Sequence, residues 1–408
     1  MKLTYIKPDN LHLTLQYHCS QFRTPLNSSS NCLYTPYNPQ YHEPIHIMPS
    51  TILAKALEPG ATVAFVSPSL RLNHTFPAVM QRATSVLESK GYKVREIYTR
   101  DKGVQDRIAN QLSELRTAFT DTTIDAIICT IGGTTFTELL PALIADTALQ
   151  QAIRAHPKVV IGYSDITGLH WFLHATTGLR TFYGPGAIPE LGELASVDDE
   201  KSALAFTVRN LLRAVADPTT PIGNVDRSPT YMAEPPSFFI PGKGDVPNEL
   251  VPNDAGWTWI RRGRGEGRLF GGCLTVMARL AGVRAIAPDW RGRIVFLESA
   301  AGEDDRSGSP IHRVQAAIAD LIAQGVFDDA AGLVVGRPIG YDTPDMREQY
   351  VGVVRALLCE GPRAKQTFPI LFNVDIGHTS PMVTLPFDAL ACLDSEKDQF
   401  AILESAVV

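Results

Sequence analysis

The sequence predicts an α/β protein whose first domain contains a doubly wound parallel sheet. From Gly60 onward, short apolar segments alternate with segments of helical periodicity. This alternation is typical of βα units, because parallel strands need a helical crossover between them. Several apolar segments end in Gly or Ser, as expected where a buried strand leaves the core. With 408 residues, the chain is long enough for two domains that each have a core.

The first domain shows four strand–helix repeats. The predicted strands are 61–66, 92–97, 124–131 and 159–161, and the predicted helices are 80–89, 106–119, 138–149 and one that begins near 166. In sheets of this kind, ligands bind at the carboxyl ends of the strands. Gly132-Gly133 and Ser164 both follow such ends, which makes them candidates for a functional site.

A second, smaller α/β domain is predicted after a segment rich in Pro, Gly and Asp. The predictions are a helix from Cys273, strands 292–298, 332–336 and 369–374, a helix over 310–324, and closing antiparallel strands at 383–386 and 400–403. The basic, Gly-rich run 261–268 is interpreted as a solvated loop, with a phosphate or RNA contact as the alternative. The predicted division is an N-terminal extension over 1–57, domains at 58–215 and 268–408, and a linker or substrate loop over 216–267.

The bulk properties exclude several classes of partner. The net charge of −6 gives no reason to expect nucleic acid or an anionic membrane, and no segment is apolar enough to span a bilayer. Six scattered cysteines are interpreted as free thiols of a reducing compartment, hence a cytoplasmic protein. Ten histidines without ligand spacing predict no metal site. Residues 1–57 contain few acids, and no regular pattern follows a short alternating run at 11–15. We interpret them as a poorly ordered extension, with a processed organelle leader as the alternative.

The sequence Gly162-Tyr163-Ser164-Asp165 is the most informative motif. It joins an apolar strand to the opening of a helix, where free backbone N–H groups can receive a developing negative charge. A serine at such a turn has the position that an acyl-transfer nucleophile needs. The alternative interpretation is an ordinary helix N-cap.

Glu298 and His378 stand at comparable positions in the second domain. Glu298 ends the apolar run 294–297, and His378 follows Ile376-Gly377. Histidine is the usual base for a serine nucleophile, and a carboxylate orients its ring. The alternatives are a salt-bridged glutamate and a histidine that only bonds a loop. Backbone N–H groups of Gly133 and Asp165 are the candidate oxyanion donors, with a plain turn as the alternative for Gly132-Gly133.

Taken together, these motifs resemble the serine peptidase family of LD-carboxypeptidases and microcin C immunity peptidases. The resemblance covers roughly residues 57–405, and a long Pro-rich segment that leads to Trp257 is closer to the immunity branch. The segments that carry it are 60–69, 132–133 with 139–141, 161–167, 183–185, 266–274, 296–298, 336–338 and 377–386.

The resemblance implies a fold, a mechanism and an assembly. The implied fold is a flavodoxin-like N-terminal domain carrying Ser164 and a smaller C-terminal α/β domain carrying Glu298 and His378. Those three residues match the family's Ser-His-Glu triad. The resemblance also implies that the enzyme uses no cofactor and commonly forms a homodimer.

Substrate contacts are expected at Thr134, Trp257, Cys273 and Thr379, although Trp257 has a core position as its alternative interpretation. Several residues depart from the family pattern. Residues 134–138 are less polar than in relatives, Cys273 replaces an Asn that touches substrate in the immunity branch, and Ser299 replaces an acid.

The sequence therefore predicts a serine hydrolase that cleaves an amide bond in a small peptide or peptidyl-nucleotide-like conjugate. A murein tetrapeptide LD-carboxypeptidase is the second candidate. A non-catalytic small-molecule-binding relative is the third, because residues 134–138 depart from the family.

Overall fold

A computed structural model describes residues 49–302 and 307–408. Within these residues the strands are β1 (Thr62–Val66), β2 (Lys93–Ile97), β3 (Ala126–Cys129), β4 (Val159–Gly162), β5 (Phe182–Tyr183), β6 (Gly223–Asn224), β7 (Thr230–Tyr231), β8 (Val251–Pro252), β9 (Thr258–Arg261), β10 (Arg264–Cys273), β11 (Arg293–Glu298), β12 (Gly332–Gly336), β13 (Ile370–Val374), β14 (Leu385–Pro386), β15 (Leu390–Asp394) and β16 (Gln399–Ile402). The α-helices are α1 (Pro77–Ser89), α2 (Val104–Thr120), α3 (Leu140–Ala145), α4 (Thr147–Ala155), α5 (Thr167–Thr177), α6 (Ala203–Val215), α7 (Leu274–Leu280), α8 (Ile311–Ala323) and α9 (Pro344–Leu358).

The first sheet confirms the predicted parallel arrangement. Its strand order is β14-β5-β4-β3-β1-β2, in which β5 to β2 pair in parallel and β14 runs antiparallel to β5. The central strands β3 and β4 are buried along their whole length, as expected for a parallel sheet covered on both faces. The carboxyl ends of β3, β4 and β5 meet at one edge, and Ser164 lies just beyond it.

The second sheet confirms a second α/β unit. Its order is β6-β16-β15-β10-β11-β12-β13-β9. The pairs from β10 to β13 are parallel, and the outer strands are antiparallel. Glu298 is the last residue of β11, and His378 lies four residues after β13, so both stand near the carboxyl edge of these parallel strands.

The run 261–268, interpreted as a solvated loop, instead contains the end of β9, a short turn at 262–263 and the first half of the long central strand β10, so that prediction was wrong. Its glycines are needed because neighbouring backbones lie very close. A Cβ on Gly265 would lie 1.8 Å from the carbonyl oxygen of Ala331, and one on Gly271 would lie 1.7 Å from that of Phe296. The helix predicted from Cys273 begins one residue later, after this strand.

The single helix predicted over 138–149 is also wrong, because two helices, α3 and α4, occupy this region. Asp146 separates them with non-helical backbone angles, φ −87° and ψ 75°. Its carboxylate accepts a hydrogen bond from the N–H of Leu149 at 3.0 Å and so caps α4. A short acidic side chain that bonds the backbone in this way starts a new helix rather than extending the previous one.

The segment interpreted as linker or loop contributes strands to the second sheet: β6 pairs with β16, and β9 pairs with β13. The described end of the predicted extension, residues 49–57, is packed rather than poorly ordered. Ala54 and Leu57 are buried, and the N–H of Leu57 donates to the carbonyl of Val215 at 2.8 Å. The rest of that prediction lies outside the described residues. In the described part of the chain, every helix is too short or too polar to cross a membrane.

Candidate active site

Ser164 lies at a sharp turn between a buried strand and a helix. After Tyr163 it begins a 3-10 turn, Ser164–Ile166, which leads directly into α5. Its φ of 64° is left-handed, a conformation that costs a residue with a Cβ about 1–2 kcal/mol. Its N–H donates to the hydroxyl of Tyr183 at 3.0 Å, and its carbonyl accepts from the hydroxyl of Thr167 at 2.7 Å. The Ser164 side chain caps neither helix, so the N-cap interpretation does not hold.

Gly132 packs directly against this turn. A Cβ on Gly132 would lie 2.5 Å from Ser164 Cβ, 2.7 Å from Ser164 Oγ and 3.3 Å from the backbone nitrogen of Asp165. The next residue, Gly133, has a φ of 138° that favours glycine. The predicted oxyanion segment therefore lies beside Ser164, and its nearest residue is Gly132.

The carboxylate of Asp165 joins the loops around this turn. It is fully buried. It accepts from Ser69 Oγ at 2.6 Å and from the backbone N–H of Phe136 at 2.8 Å, and it pairs with Arg279 from α7. Sequence reasoning considered only the backbone of Asp165. The spacing of the motif does not reveal which distant loops a buried carboxylate will bond.

Glu298 and His378 form a direct pair. The Glu298 carboxylate is fully buried, and its Oε2 lies 2.7 Å from His378 Nδ1 and accepts from the His378 backbone N–H at 3.2 Å. Gly377 makes room for it, since a Cβ there would lie 2.2–2.5 Å from the atoms of the Glu298 carboxyl end. The predicted acid and base are therefore in contact. Glycine precedes His378 because a side chain at residue 377 would collide with the Glu298 carboxylate.

The electrostatics of the pair favour a charged carboxylate. Burial acts to raise the pKa of Glu298, but the His378 imidazole and hydrogen bonds from His378 and Tyr183 lower it below its ordinary value. Burial acts to lower the pKa of His378, but the charge and hydrogen bond of Glu298 raise it above its ordinary value. Each partner thus stabilises the charged form of the other.

Tyr183 links this pair to the serine turn. The ring lies at the end of β5 and is fully buried. Its hydroxyl accepts the N–H of Ser164 and donates to Glu298 Oε1 at 2.5 Å. A continuous hydrogen-bonded path therefore runs from the Ser164 backbone through Tyr183 and Glu298 to His378. Sequence analysis included Tyr183 only in the segment 183–185 that resembles the family and gave no sign of this role.

A second buried carboxylate, that of Glu190, lies near the imidazole and is bonded to Tyr163. The Tyr163 ring stands edge-on to His378 with centroids 5.1 Å apart, and its hydroxyl donates to Glu190 Oε1 at 2.8 Å. The N–H of Gly186 donates to the same carboxylate at 2.9 Å. Burial raises the pKa of Glu190 to about 7. Sequence reasoning did not identify this group.

Ser164 and His378 are linked through Tyr163 and Tyr183 rather than by a mutual hydrogen bond. Among the described residues, Ser164 Oγ forms no hydrogen bond to the imidazole. Tyr163, adjacent to Ser164 in sequence, brings the turn against the His378 ring. The His378 side chain is 19% exposed, so one part of the imidazole is open to solvent.

The four expected substrate contacts have different surroundings. Thr134 is exposed in the loop after Gly133. Thr379 is buried next to His378, and its hydroxyl lacks a hydrogen-bond partner among the described residues. Trp257 is half-buried under the guanidinium of Arg227, 3.7 Å away, and its role at the site stays a prediction.

Cys273 is 1% exposed and lies beside Glu298 on the neighbouring strand. Burial raises the pKa of its thiol, and its backbone N–H donates to Thr167 Oγ1 at 3.0 Å. The side chain therefore forms part of the packing behind the carboxylate, which does not favour the predicted direct contact with substrate. Within the described ranges, no group of three or more His, Cys, Asp or Glu side chains is arranged to hold a metal ion.

The fold and site together define a class. Two α/β units bring a strained serine turn next to a buried carboxylate–imidazole pair, an arrangement typical of hydrolases. The family model of the LD-carboxypeptidase N-terminal domain matches residues 63–184, and that of the C-terminal domain matches residues 266–393. The chain belongs to the LD-carboxypeptidase family.

Individual relatives agree with this assignment. A Vibrio cholerae protein named for carboxypeptidase activity is 29% identical over 363 residues, which are 86% of this chain and 97% of that protein. The microcin C7 self-immunity protein MccF of Escherichia coli is 28% identical, with 86% and 96% covered. A solved MccF structure matches with a TM-score of 0.72 and 26% identity over 88% of this chain and all of that one. The family supports a hydrolase.

Proposed function

We propose that the protein is a serine hydrolase that cleaves an amide bond in a small peptide or peptidyl-nucleotide-like conjugate. The observation that carries the proposal is the contact of 2.7 Å between Glu298 and His378, beside the left-handed turn that bears Ser164. Nucleophile, base and orienting carboxylate are the three roles that acyl transfer by serine requires.

The first chemical step uses the imidazole as base. His378 accepts the proton of Ser164 Oγ while that oxygen attacks the substrate carbonyl carbon. The carbonyl oxygen becomes an anion, which the N–H groups of Gly133 and Asp165 stabilise. The imidazolium then protonates the leaving nitrogen, the C–N bond breaks, and an ester on Ser164 remains.

The second step regenerates the serine. His378 takes a proton from water, and the resulting hydroxide attacks the ester carbonyl. Collapse of the second tetrahedral species releases the carboxylic acid, and the proton returns to Ser164 Oγ. Glu298 stays charged throughout and stabilises the imidazolium in both steps, in agreement with its lowered pKa.

The relatives support two substrate classes. MccF has been solved in complex with aspartyl sulfamoyl adenosine and with glutamyl sulfamoyl guanosine, which favours an aminoacyl group joined to a nucleoside. A Bacillus subtilis relative, 28% identical, bears the name probable murein peptide carboxypeptidase, which favours a murein tetrapeptide as second candidate. A homodimer is proposed from the family resemblance alone. A cytoplasmic location is proposed because Cys129, Cys273, Cys359 and Cys392 are free thiols.

The test compares both substrate classes on wild type and Ser164→Ala. Full-length protein is incubated with aspartyl sulfamoyl adenosine or with a murein tetrapeptide, and released aspartate or terminal D-amino acid is quantified. We expect wild type to hydrolyse the nucleoside conjugate and Ser164→Ala to lose at least about 1000-fold in rate.

The matched control is Ser196→Ala, an exposed serine remote in sequence from the motif, which should keep wild-type activity. Release of the D-amino acid alone would select the murein candidate. Equal rates for wild type and Ser164→Ala would contradict the proposal, and folded wild type that binds without hydrolysing either compound would favour a binding protein.

A further inference from the structure

Tyr183 is the buried residue that joins the two halves of the site. Its ring packs against aromatic side chains, with centroids 5.3 Å from Phe296 in β11 and 6.1 Å from Phe387, which follows β14. The ring is fully buried, and the short strand β5 fixes its backbone between β4 and β14. Its hydroxyl therefore has a fixed position.

That hydroxyl uses both of its hydrogen-bonding functions within the site. It accepts the N–H of Ser164 at 3.0 Å and donates to Glu298 Oε1 at 2.5 Å. The other carboxylate oxygen, Oε2, is committed to His378. Both oxygens of Glu298 thus have defined donors, which fixes the rotation of the carboxylate and keeps Oε2 directed at the imidazole.

The same hydroxyl supports the unusual backbone of the nucleophile. Ser164 has a φ of 64°, and its N–H is buried, so loss of its acceptor would leave a donor unpaired. A phenol that accepts from this N–H therefore stabilises the left-handed turn. One atom holds the serine turn and the carboxylate at a fixed separation.

We propose that Tyr183 is a positioning residue that aligns the Ser164 turn with the Glu298–His378 pair. This inference rests on the proposed function. Burial and the charge of Glu298 raise the pKa of Tyr183 well above its usual value, so the phenol is protonated at neutral pH and can donate to the carboxylate.

The hydroxyl also affects the imidazole through Glu298. A donor on Oε1 disperses the negative charge of the carboxylate and weakens its attraction for an imidazolium. Removal of that donor should therefore raise the pKa of His378. The other titratable groups that face the pair are Glu190 and Tyr163 near His378, and Cys273 and Tyr350 near Glu298.

The experiment is Tyr183→Phe in the full-length chain, which removes one oxygen and keeps the ring. We expect kcat to fall about 10–100-fold with KM within about twofold, because the serine turn and carboxylate lose alignment rather than substrate contacts. The acid limb of the kcat/KM profile should move to higher pH, since it reports deprotonation of His378. A purely structural role would not move this limb.

Tyr341→Phe is the matched control. Its hydroxyl is also buried and donates to the carbonyl of Ser309 at 2.6 Å, so this variant should lose stability without change in the pH profile. In the double variant with Glu298→Gln, the shift of the acid limb caused by Tyr183→Phe should disappear, because that shift acts through the Glu298 carboxylate, whereas the part of the kcat loss that comes from the Ser164 N–H should remain.

The outcomes separate the two proposals. A Tyr183→Phe enzyme with wild-type kcat and an unshifted acid limb would overturn the positioning role, provided that Ser164→Ala is inactive. A Ser164→Ala enzyme with wild-type activity would overturn the proposed function itself. Should Tyr183→Phe fold poorly, the rate at which a fluorophosphonate modifies Ser164 is measured on the folded fraction instead. The same fall of about 10–100-fold is expected.

Discussion

Ser164 depends on the absence of a side chain at Gly132. A Cβ on Gly132 would overlap Ser164 Cβ and Oγ, at 2.5 and 2.7 Å. The turn between β4 and α5 fixes the Ser164 backbone and so limits how far these two atoms can move. The left-handed backbone of Ser164 leaves little freedom to move away, because Tyr183 and Thr167 hold it on both sides.

Gly132→Ala should therefore reduce kcat/KM at least about 100-fold, because displacement of a nucleophile by about 1 Å has effects of that size. Steady-state kinetics with the better substrate measure it. The control is Gly352→Ala in α9, where a Cβ would meet nothing within 4 Å. That variant should keep full activity and gain about 0.5–1 kcal/mol in free energy of unfolding. A wild-type kcat/KM for Gly132→Ala would contradict the close contact between residue 132 and the Ser164 side chain.

At the scale of secondary-structure elements, the site depends on how strand ends are tied together. Asp165 connects the loop after β1, through Ser69, with the segment after β3, through Phe136, and reaches α7 through Arg279. Three elements from different parts of the chain thus meet at one buried carboxylate beside the serine.

Asp165→Ala should lower the free energy of unfolding by about 2–4 kcal/mol, because buried donors lose a charged acceptor. The ion pair with Arg279 adds little to the free energy of unfolding, because the Arg279 side chain is 38% exposed. Asp146→Ala, which removes a helix cap, should cost about 1 kcal/mol and leave activity intact. Urea unfolding gives both values, and equal losses in the two variants would contradict the organising role of Asp165.

The sequence was sufficient to predict the elements and residues that a local pattern identifies. Apolar runs predicted β1 to β4 of the first sheet but not β5, and they placed β14 in the second domain rather than in this sheet. The strand-end rule selected Ser164, Glu298 and His378. It failed at β10, where Gly and Arg suggested a loop, because only the neighbouring backbone explains those glycines. Tyr183 was missed for a similar reason: its contacts join residues 19 and 115 positions apart along the chain.

At the scale of the whole molecule, the site spans both sheets. The serine turn follows β4 of the first sheet, whereas Glu298 ends β11 and His378 follows β13 of the second. A direct hydrogen bond joins the two α/β units: Trp171 Nε1, in α5, donates to the carbonyl of Gly271, in β10, at 2.9 Å. In the proposed mechanism, proton transfer from Ser164 to His378 depends on the registry of the two units, so a substitution that shifts one unit against the other should lower activity.

The most direct test of this account is the position and rate of phosphonylation. Full-length protein is treated with a fluorophosphonate, and the modified peptide is identified by mass spectrometry. The account predicts one adduct, on Ser164, formed at least about 100-fold more slowly in His378→Ala and absent from Ser164→Ala. An adduct on another serine such as Ser69, or equal labelling of wild type and Ser164→Ala, would contradict it.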